Sequence, residues 1–299
     1  MTTAGGGRRV SGRRRGIAAV VAVVIVSSVV CASAPVSAAS RGPGTPGAAA
    51  TTVRPCDLTV VQVGDRRYRF YYLHGAAGAP VTLTPSEGRR TDVPAASIRT
   101  ALPANGHIPM GADLMYSVPL ILRSGRRVAF TVDLGQQTGD RVSAQDDPGG
   151  YGDTVVRAGS LTLRSNGVLV RDDGRVARGY GNLRSLARIS ADGKTEVHLA
   201  ALTDGRLVTL TVPTTGPFRL RMQTLRSRGW GHVDTMVAAT CGPHGTVLMA
   251  VDTRRRRADL FHVGSVRGAR APITRYGRVP GTWVGRLTAG YHESSFADS

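Results

Sequence analysis

At 299 residues and 41% hydrophobic content, the chain is long enough for one large domain or two ordinary ones and can build a buried core, which excludes an intrinsically disordered protein. Its formal charge of +19 comes from 38 Arg against a single Lys, Lys194, in a background rich in Ala, Gly and Val. That is the usage of a GC-rich genome, so the basic balance is not read as a nucleic-acid footprint, which would cluster on one face with interleaved aromatics. Attraction to acidic polymers follows from the charge whatever its origin.

Residues 1–38 read as a secretory signal. Arg8, Arg9 and Arg13 to Arg15 form the charged start, Ile17 to Val30 the apolar run, and Val36-Ser37-Ala38 a small-residue cleavage site. The alternative is an uncleaved membrane anchor, but the apolar run is shorter than the roughly twenty residues that span a bilayer, and Pro35 follows it. The expected localisation is therefore secreted, with Sec and twin-arginine routes both open, since Arg14-Arg15-Gly16-Ile17 is similar to a twin-arginine signal. Cleavage would remove five Arg and no acid, so the mature chain stays basic. Residues 39–55 are Pro/Gly/Ala-rich without apolar periodicity and read as a flexible leader.

From Cys56 onward the sequence consists of short strands and turns. Leu58–Val63, Arg67–Leu73, Tyr116–Leu122, Arg127–Val132, Leu161–Arg164 and Val168–Val170 alternate or are β-branched, bounded by Gly, Asp, Asn or Pro. The best helical candidate is Ala95–Leu102, confined by Pro94 and Pro103. A tight turn precedes a strand at Gly64-Asp65, Ser124-Gly125, Asn166-Gly167 and Asp204-Gly205, with a fifth equivalent at Arg254–Arg257.

Two segments, Arg178–Val212 and Arg228–His262, read as copies of one unit fifty residues apart. Arg178/Arg228, Gly179/Gly229 and Gly181/Gly231 match, Tyr180 faces Trp230, and Leu183 faces Val233. This alignment predicts that Val197, Leu199 and Leu210 occupy the places of Val247, Met249 and Leu260, since strand alternation fixes which face each residue takes. The fold class expected is all-β and propeller-like, about five short antiparallel sheets over residues 56–290, with 291–299 a C-terminal tail. Two packed β domains, the first within residues 56–150, are the alternative.

Five such units, each a turn with a basic residue and an apolar strand, and two with a Gly-aromatic-Gly lead-in, resemble a five-bladed β-propeller of the tachylectin-like kind. The resemblance implies amino-sugar binding between blades. It carries over no individual sugar-contacting residue.

The seven histidines include no pair at i, i+4 and no HExxH, and no CxxC knuckle exists, so no metal site is expected. No dinucleotide or Walker fingerprint points to a cofactor. No GxSxG elbow supplies a nucleophile, and with only three Glu (Glu87, Glu196, Glu293) a glycosidase pair would rest on Asp. Asp146-Asp147 and Asp172-Asp173 sit beside glycines and read as turn residues, with weak calcium binding as the alternative.

Tyr180, Trp230 and Trp283 are the candidate ligand-binding residues, as stacking platforms for a sugar ring, or else they pack between adjacent sheets. Once a signal carrying Cys31 is removed, Cys56 and Cys241 are an even pair in an oxidising compartment and are expected to form a disulfide that brings the start of the fold to its last clear repeat. The expected function is a secreted binding module for extracellular or cell-wall carbohydrate, with glycans or acidic cell-wall polymers as partners and nucleic acid disfavoured. The alternatives are a secreted hydrolase whose site assembles from distant residues, such as His74 or His244 with an Asp, and a cell-surface structural protein without a small ligand.

Overall fold

The computed structural model describes residues 55–64, 67–85, 89–90, 97–101, 105–107, 115–124, 126–133, 141–145, 153–241, 245–284 and 286–289. The expected signal segment, nearly all of the leader, Asp146-Asp147, His244 and the C-terminal tail lie outside them.

Among the described residues the chain is built from strands. β1 (Cys56–Gly64), β2 (Arg67–Gly75), β3 (Thr82–Pro85) and β4 (Arg89–Arg90) begin the first sheet. β5 (Ile98–Ala101), β6 (Asn105–His107), β7 (Met115–Leu122), β8 (Arg127–Asp133) and β9 (Arg141–Gln145) make the second. β10 (Thr154–Ala158), β11 (Leu161–Arg164), β12 (Leu169–Arg171) and β13 (Val176–Ala177) make the third. The fourth contains β14 (Leu183–Ala191), β15 (Thr195–Leu202), β16 (Leu207–Pro213) and β17 (Arg221–Arg226), and the fifth β18 (Thr235–Thr240), β19 (Thr246–Asp252), β20 (Arg257–Val263) and β21 (Ile273–Val279). The last strand, β22 (Arg286–Ala289), returns to the first sheet beside β1.

Five antiparallel sheets in a ring make a five-bladed β-propeller. The innermost strands β22, β5, β10, β14 and β18 neighbour one another in that order, and β18 meets β22 to complete the circle. The described residues before 150 therefore belong to the first two blades and not to a separate β domain. The segment expected to be a short helix ends in β5, the innermost strand of blade 2, where Ile98, Thr100 and Ala101 are buried. Eight residues between prolines offer few helical hydrogen bonds, and pairing with β7 satisfies the same backbone groups.

The five turn signals all fall at one place in the architecture, the hairpin between the second and third strands of each blade: β1/β2, β7/β8, β11/β12, β15/β16 and β19/β20. Alternation then sorts apolar side chains to the two faces of each sheet. Val208 and Leu210 pack toward blade 3, and Leu199 and Leu207 toward blade 5. Leu58 and Val60 pack toward blade 5, and Val61 and Val63 toward blade 2. Each fully buried Leu or Val contributes about 1.5–3 kcal/mol relative to exposure, so the interblade layers hold the ring.

One part of the repeat alignment is corrected. Val197 and Leu199 do share a face with Val247 and Met249, but Leu210 and Leu260 do not correspond. Leu199 pairs with Thr209, whereas Met249 pairs with Leu260. The turn of blade 5 is one residue longer than that of blade 4, which shifts the following strand by one and inverts its faces. Leu260 consequently packs against blade 1, while Leu210 packs against blade 3.

Ring closure is made by the end of the chain. The chain's last strand, and not its first, completes the ring, entering blade 1 as its innermost member. Cys56 and Cys241 are joined in a disulfide with a Cα–Cα distance of 5.8 Å across 185 residues, linking blade 1 to blade 5. Strand exchange and covalent bond thus act on the same seam.

Candidate functional site

The hairpin turns between second and third strands lie at the same end of every blade as the connections that lead into the next innermost strand, because strands alternate in direction. This end is the turn face. Tyr180, Trp230 and Trp283 all lie on it, at equivalent points of three successive junctions. The Tyr180 N–H donates to the Gly167 carbonyl at 3.0 Å, the Trp230 N–H to Gly205 at 3.0 Å, and the Trp283 N–H to Arg256 at 3.3 Å. Each aromatic docks its backbone on the hairpin turn of the blade before it. The glycine at position 167 follows from this approach: a Cβ there would stand 2.5 Å from the Gly181 nitrogen.

The three rings differ in what remains accessible. Trp283, 1% exposed, packs on Tyr71 with ring centres 4.9 Å apart and donates Nε1–H to the Pro280 carbonyl at 3.2 Å. Trp230, 8% exposed, packs on Phe261 at 5.2 Å. Both serve here as wedges between blades. Tyr180 is half-buried, its hydroxyl pushed above the ordinary tyrosine value by burial, and it sits on a turn whose Ser165 and Asn166 are exposed. The structure distributes the three residues over three junctions and does not gather them into one pocket.

Blade 5 departs from its neighbours at the same turn. Where blades 3 and 4 present Gly167 (φ 74°) and Gly205 (φ 93°) as the docking carbonyl, blade 5 presents Arg256 at φ 56°. Among the described residues Arg256 is the one non-glycine with positive φ. Arg254, Arg255, Arg256 and Arg257 are all exposed. The carboxylate of Asp252 approaches Arg255 at 3.7 Å, and that of Asp234 holds the turn by accepting from the Thr253 N–H and hydroxyl.

The opposite face carries a polar group that sequence reasoning passed over. Glu196 accepts from the Ser160 N–H at 3.0 Å and the Ser160 hydroxyl at 2.7 Å, and from Arg188 at 3.2 Å. His198 Nε2 lies 3.1 Å from the same carboxylate, which fixes the proton on Nε2 as donor. Burial raises the Glu196 carboxyl, but the hydrogen bonds from His198 and Ser160 outweigh it and hold the group well below the usual carboxylate range. His198 is fully buried; burial depresses its basicity against the pull of Glu196, and its Nδ1 has no hydrogen-bond partner. A visible signal was available: Glu196 and His198 are two apart in a strand and so share one face, and the second copy has Thr246 and Leu248 there.

These contacts belong to a series at blade junctions. Glu196 near the start of β15 reaches back to Ser160 of blade 3, Thr246 at the start of β19 donates to the Ile189 carbonyl of blade 4 at 2.6 Å, and Cys56 at the start of β1 bonds Cys241 of blade 5. Nearby, Asp172 and Asp173 do sit in a turn. Asp173 accepts from the buried Arg171 and the Arg175 N–H, bonds that lower its carboxyl to about 2. Arg171 itself bridges to the Pro213 and Gly216 carbonyls of blade 4.

His74 and Asp57 of blade 1 are paired at 2.6 Å, both more than half exposed on neighbouring strands. Among the described residues no cluster of three or more His, Cys, Asp or Glu is placed to hold a metal ion.

No family model matches the chain, and no curated protein matches it. Among solved structures, the crystal structure of BBS1N in complex with ARL6DN, soaked with mercury, is similar at 9% identity and a TM-score of 0.31, over 78% of this chain and 80% of that one. So low a score carries no argument about this protein.

Proposed function

We propose that the protein is a secreted binding module for extracellular or cell-wall carbohydrate, with a sugar ring seated at Tyr180 on the turn face. The propeller fold itself suggests a binding or interaction module: rigid blades carry short turns on one face, which is how loop-borne recognition is commonly supported. The observation that carries the finer reading is the contrast among three equivalent aromatics, of which Trp230 and Trp283 are covered while Tyr180 keeps part of its surface beside the exposed Ser165 and Asn166. An aromatic flank bordered by hydroxyl and amide groups suits the apolar face and hydroxyl rim of a sugar. The disulfide supports an oxidising compartment. The five-bladed fold is compatible with the tachylectin-like resemblance, and the amino-sugar reading rests on that resemblance alone.

A glycan array in moderate salt tests this. The wild type is expected to retain one glycan class and Tyr180→Ala to lose it, with Tyr180→Phe retaining most of the signal because the ring supplies the contact. Absence of any retained glycan, or equal retention by Tyr180→Ala and wild type, would overturn the assignment.

A further inference from the structure

The turn of blade 5 is where the backbone and the side chains disagree about which residue belongs. Gly167 and Gly205 occupy the docking position in blades 3 and 4, at φ values that glycine adopts without steric penalty. Blade 5 places Arg256 in the same left-handed conformation, where a Cβ crowds the following carbonyl. The carbonyl that receives Trp283 would be supplied equally well by glycine. What glycine would lack is the guanidinium. Strain held at a position where a neighbouring blade shows the relaxed solution points to a use for the side chain.

That side chain is not isolated. Arg254, Arg255, Arg256 and Arg257 are consecutive and exposed, and the single carboxylate bonded to their side chains among the described residues is the mostly buried Asp252, at Arg255. By contrast, Arg206 at the corresponding turn of blade 4 is matched by Asp204 at 2.8 Å. The charge at the blade 4 turn is therefore locally balanced and that at the blade 5 turn is not. A total charge inflated by codon usage explains many arginines, but it does not explain four in succession at one hairpin, one of them in a strained conformation.

We infer that the Arg254–Arg257 turn is an anion-binding surface for an acidic polysaccharide, its guanidinium groups taking carboxylates along the polymer. Planar guanidinium groups pair with carboxylates through two parallel hydrogen bonds, which suits regularly spaced uronates. Nucleic acid is the less suitable polyanion for this face: strand binding stacks successive bases on several open aromatic rings, and here Trp230 and Trp283 are covered, leaving Tyr180 as the one partly open ring of the three. The inference rests on the carbohydrate reading above and adds the charge of the polymer and the place where that charge is met.

The test uses polygalacturonate and its methyl-esterified form, which share a backbone and differ in charge. The wild type is expected to bind the acid form about tenfold more tightly than the ester. Arg254→Ala and Arg256→Gly should each weaken the acid form several-fold, leave the ester unchanged, and reduce the slope of log affinity against log salt by about one per arginine. Arg256→Gly should at the same time raise Tm by about 1–2 °C, since it relieves the strain in a chain of this size. Variants that bind the acid form as the wild type does would overturn the inference and leave the carbohydrate reading intact. Wild type that binds neither form of this polymer nor any glycan on the array would overturn both. A lower Tm for Arg256→Gly, or tighter binding of a DNA duplex than of polygalacturonate, would also contradict the inference.

Discussion

Trp283 and Arg256 are joined by a backbone hydrogen bond, the Trp283 N–H donating to the Arg256 carbonyl at 3.3 Å, and the ring closes through this contact. Three residues later the chain enters β22 and completes blade 1. The same turn carries the exposed arginines, so the seam that holds the fold together also positions the charged surface. Gln62 of β1 donates to the Val284 carbonyl beside it, fixing the chain between Trp283 and β22.

The three equivalent aromatics should have graded effects on stability. Trp283→Ala removes a ring that is 1% exposed and opens a cavity at the closing seam; a loss of about 3–5 kcal/mol is expected. Trp230→Ala, at 8% exposed, should fall at the lower end of that range, and Tyr180→Ala should be clearly milder because its ring is only partly buried. Guanidinium unfolding of the three variants gives the order. A Tyr180→Ala loss as large as that of Trp283→Ala would contradict the assignment of Trp283 as a wedge and Tyr180 as an accessible ring.

Removing the disulfide should weaken the same seam. A bridge over 185 residues stabilises by about 5 kcal/mol on the chain-entropy account, which is an upper figure because the unfolded chain is not structureless. Cys56→Ser with Cys241→Ser should lower Tm without abolishing folding, since β22 still pairs with β1. Intact mass before and after reduction under denaturing conditions should differ by two hydrogens.

Acid should loosen the junction between blades 3 and 4. His198 is held below its ordinary 6.5 by burial, so below pH 6.5 the unfolded chain takes up a proton that the folded protein refuses, and stability falls as pH falls. Glu196, held below its ordinary 4.5, contributes stability that is present above that value and is lost as pH falls further. Both signs point the same way. His198→Gln keeps a donor for Glu196 and cannot titrate, so its urea midpoint should be flat between pH 7.5 and about 5 where that of the wild type declines. Parallel declines in the two proteins would show that His198 is not the titrating group.

Gly159 stands at φ 52°, and a Cβ there would lie 2.6 Å from Arg188 Cδ and 2.7 Å from Glu196 Oε2. Gly159→Ala therefore adds left-handed strain and pushes on the Ser160–Glu196 contact; a loss of about 2 kcal/mol or more is expected. Gly174 is left-handed too, with nothing within 4 Å of its added Cβ, so Gly174→Ala should lose only the strain, about 1 kcal/mol. Thermal unfolding of the pair separates crowding from strain.

The blade count was legible because each hairpin writes its own turn: Asn166-Gly167 and Asp204-Gly205 announce left-handed positions that the structure places at φ 74° and 93°. The faces of β20 were not legible. One added residue in the Thr253–Arg256 turn inverts the strand, and no local pattern distinguishes Leu260 facing blade 1 from Leu260 facing blade 4. Trp230 could be located but not assigned, since this covered ring and the more open Tyr180 share the same flanking glycines. Glu196 and His198 were missed because their partner Ser160 lies in another blade, a relationship that only the ring creates.

Hydrogen exchange with and without polygalacturonate tests the central claim, that the turn face is the binding surface, most directly. The account predicts added protection at Gly205–Leu207, Thr253–Arg257 and Arg178–Asn182, with Asp172–Arg175 and Gly193–Thr195 on the opposite face unchanged. Protection confined to the opposite face, or no change at any amide, would contradict it.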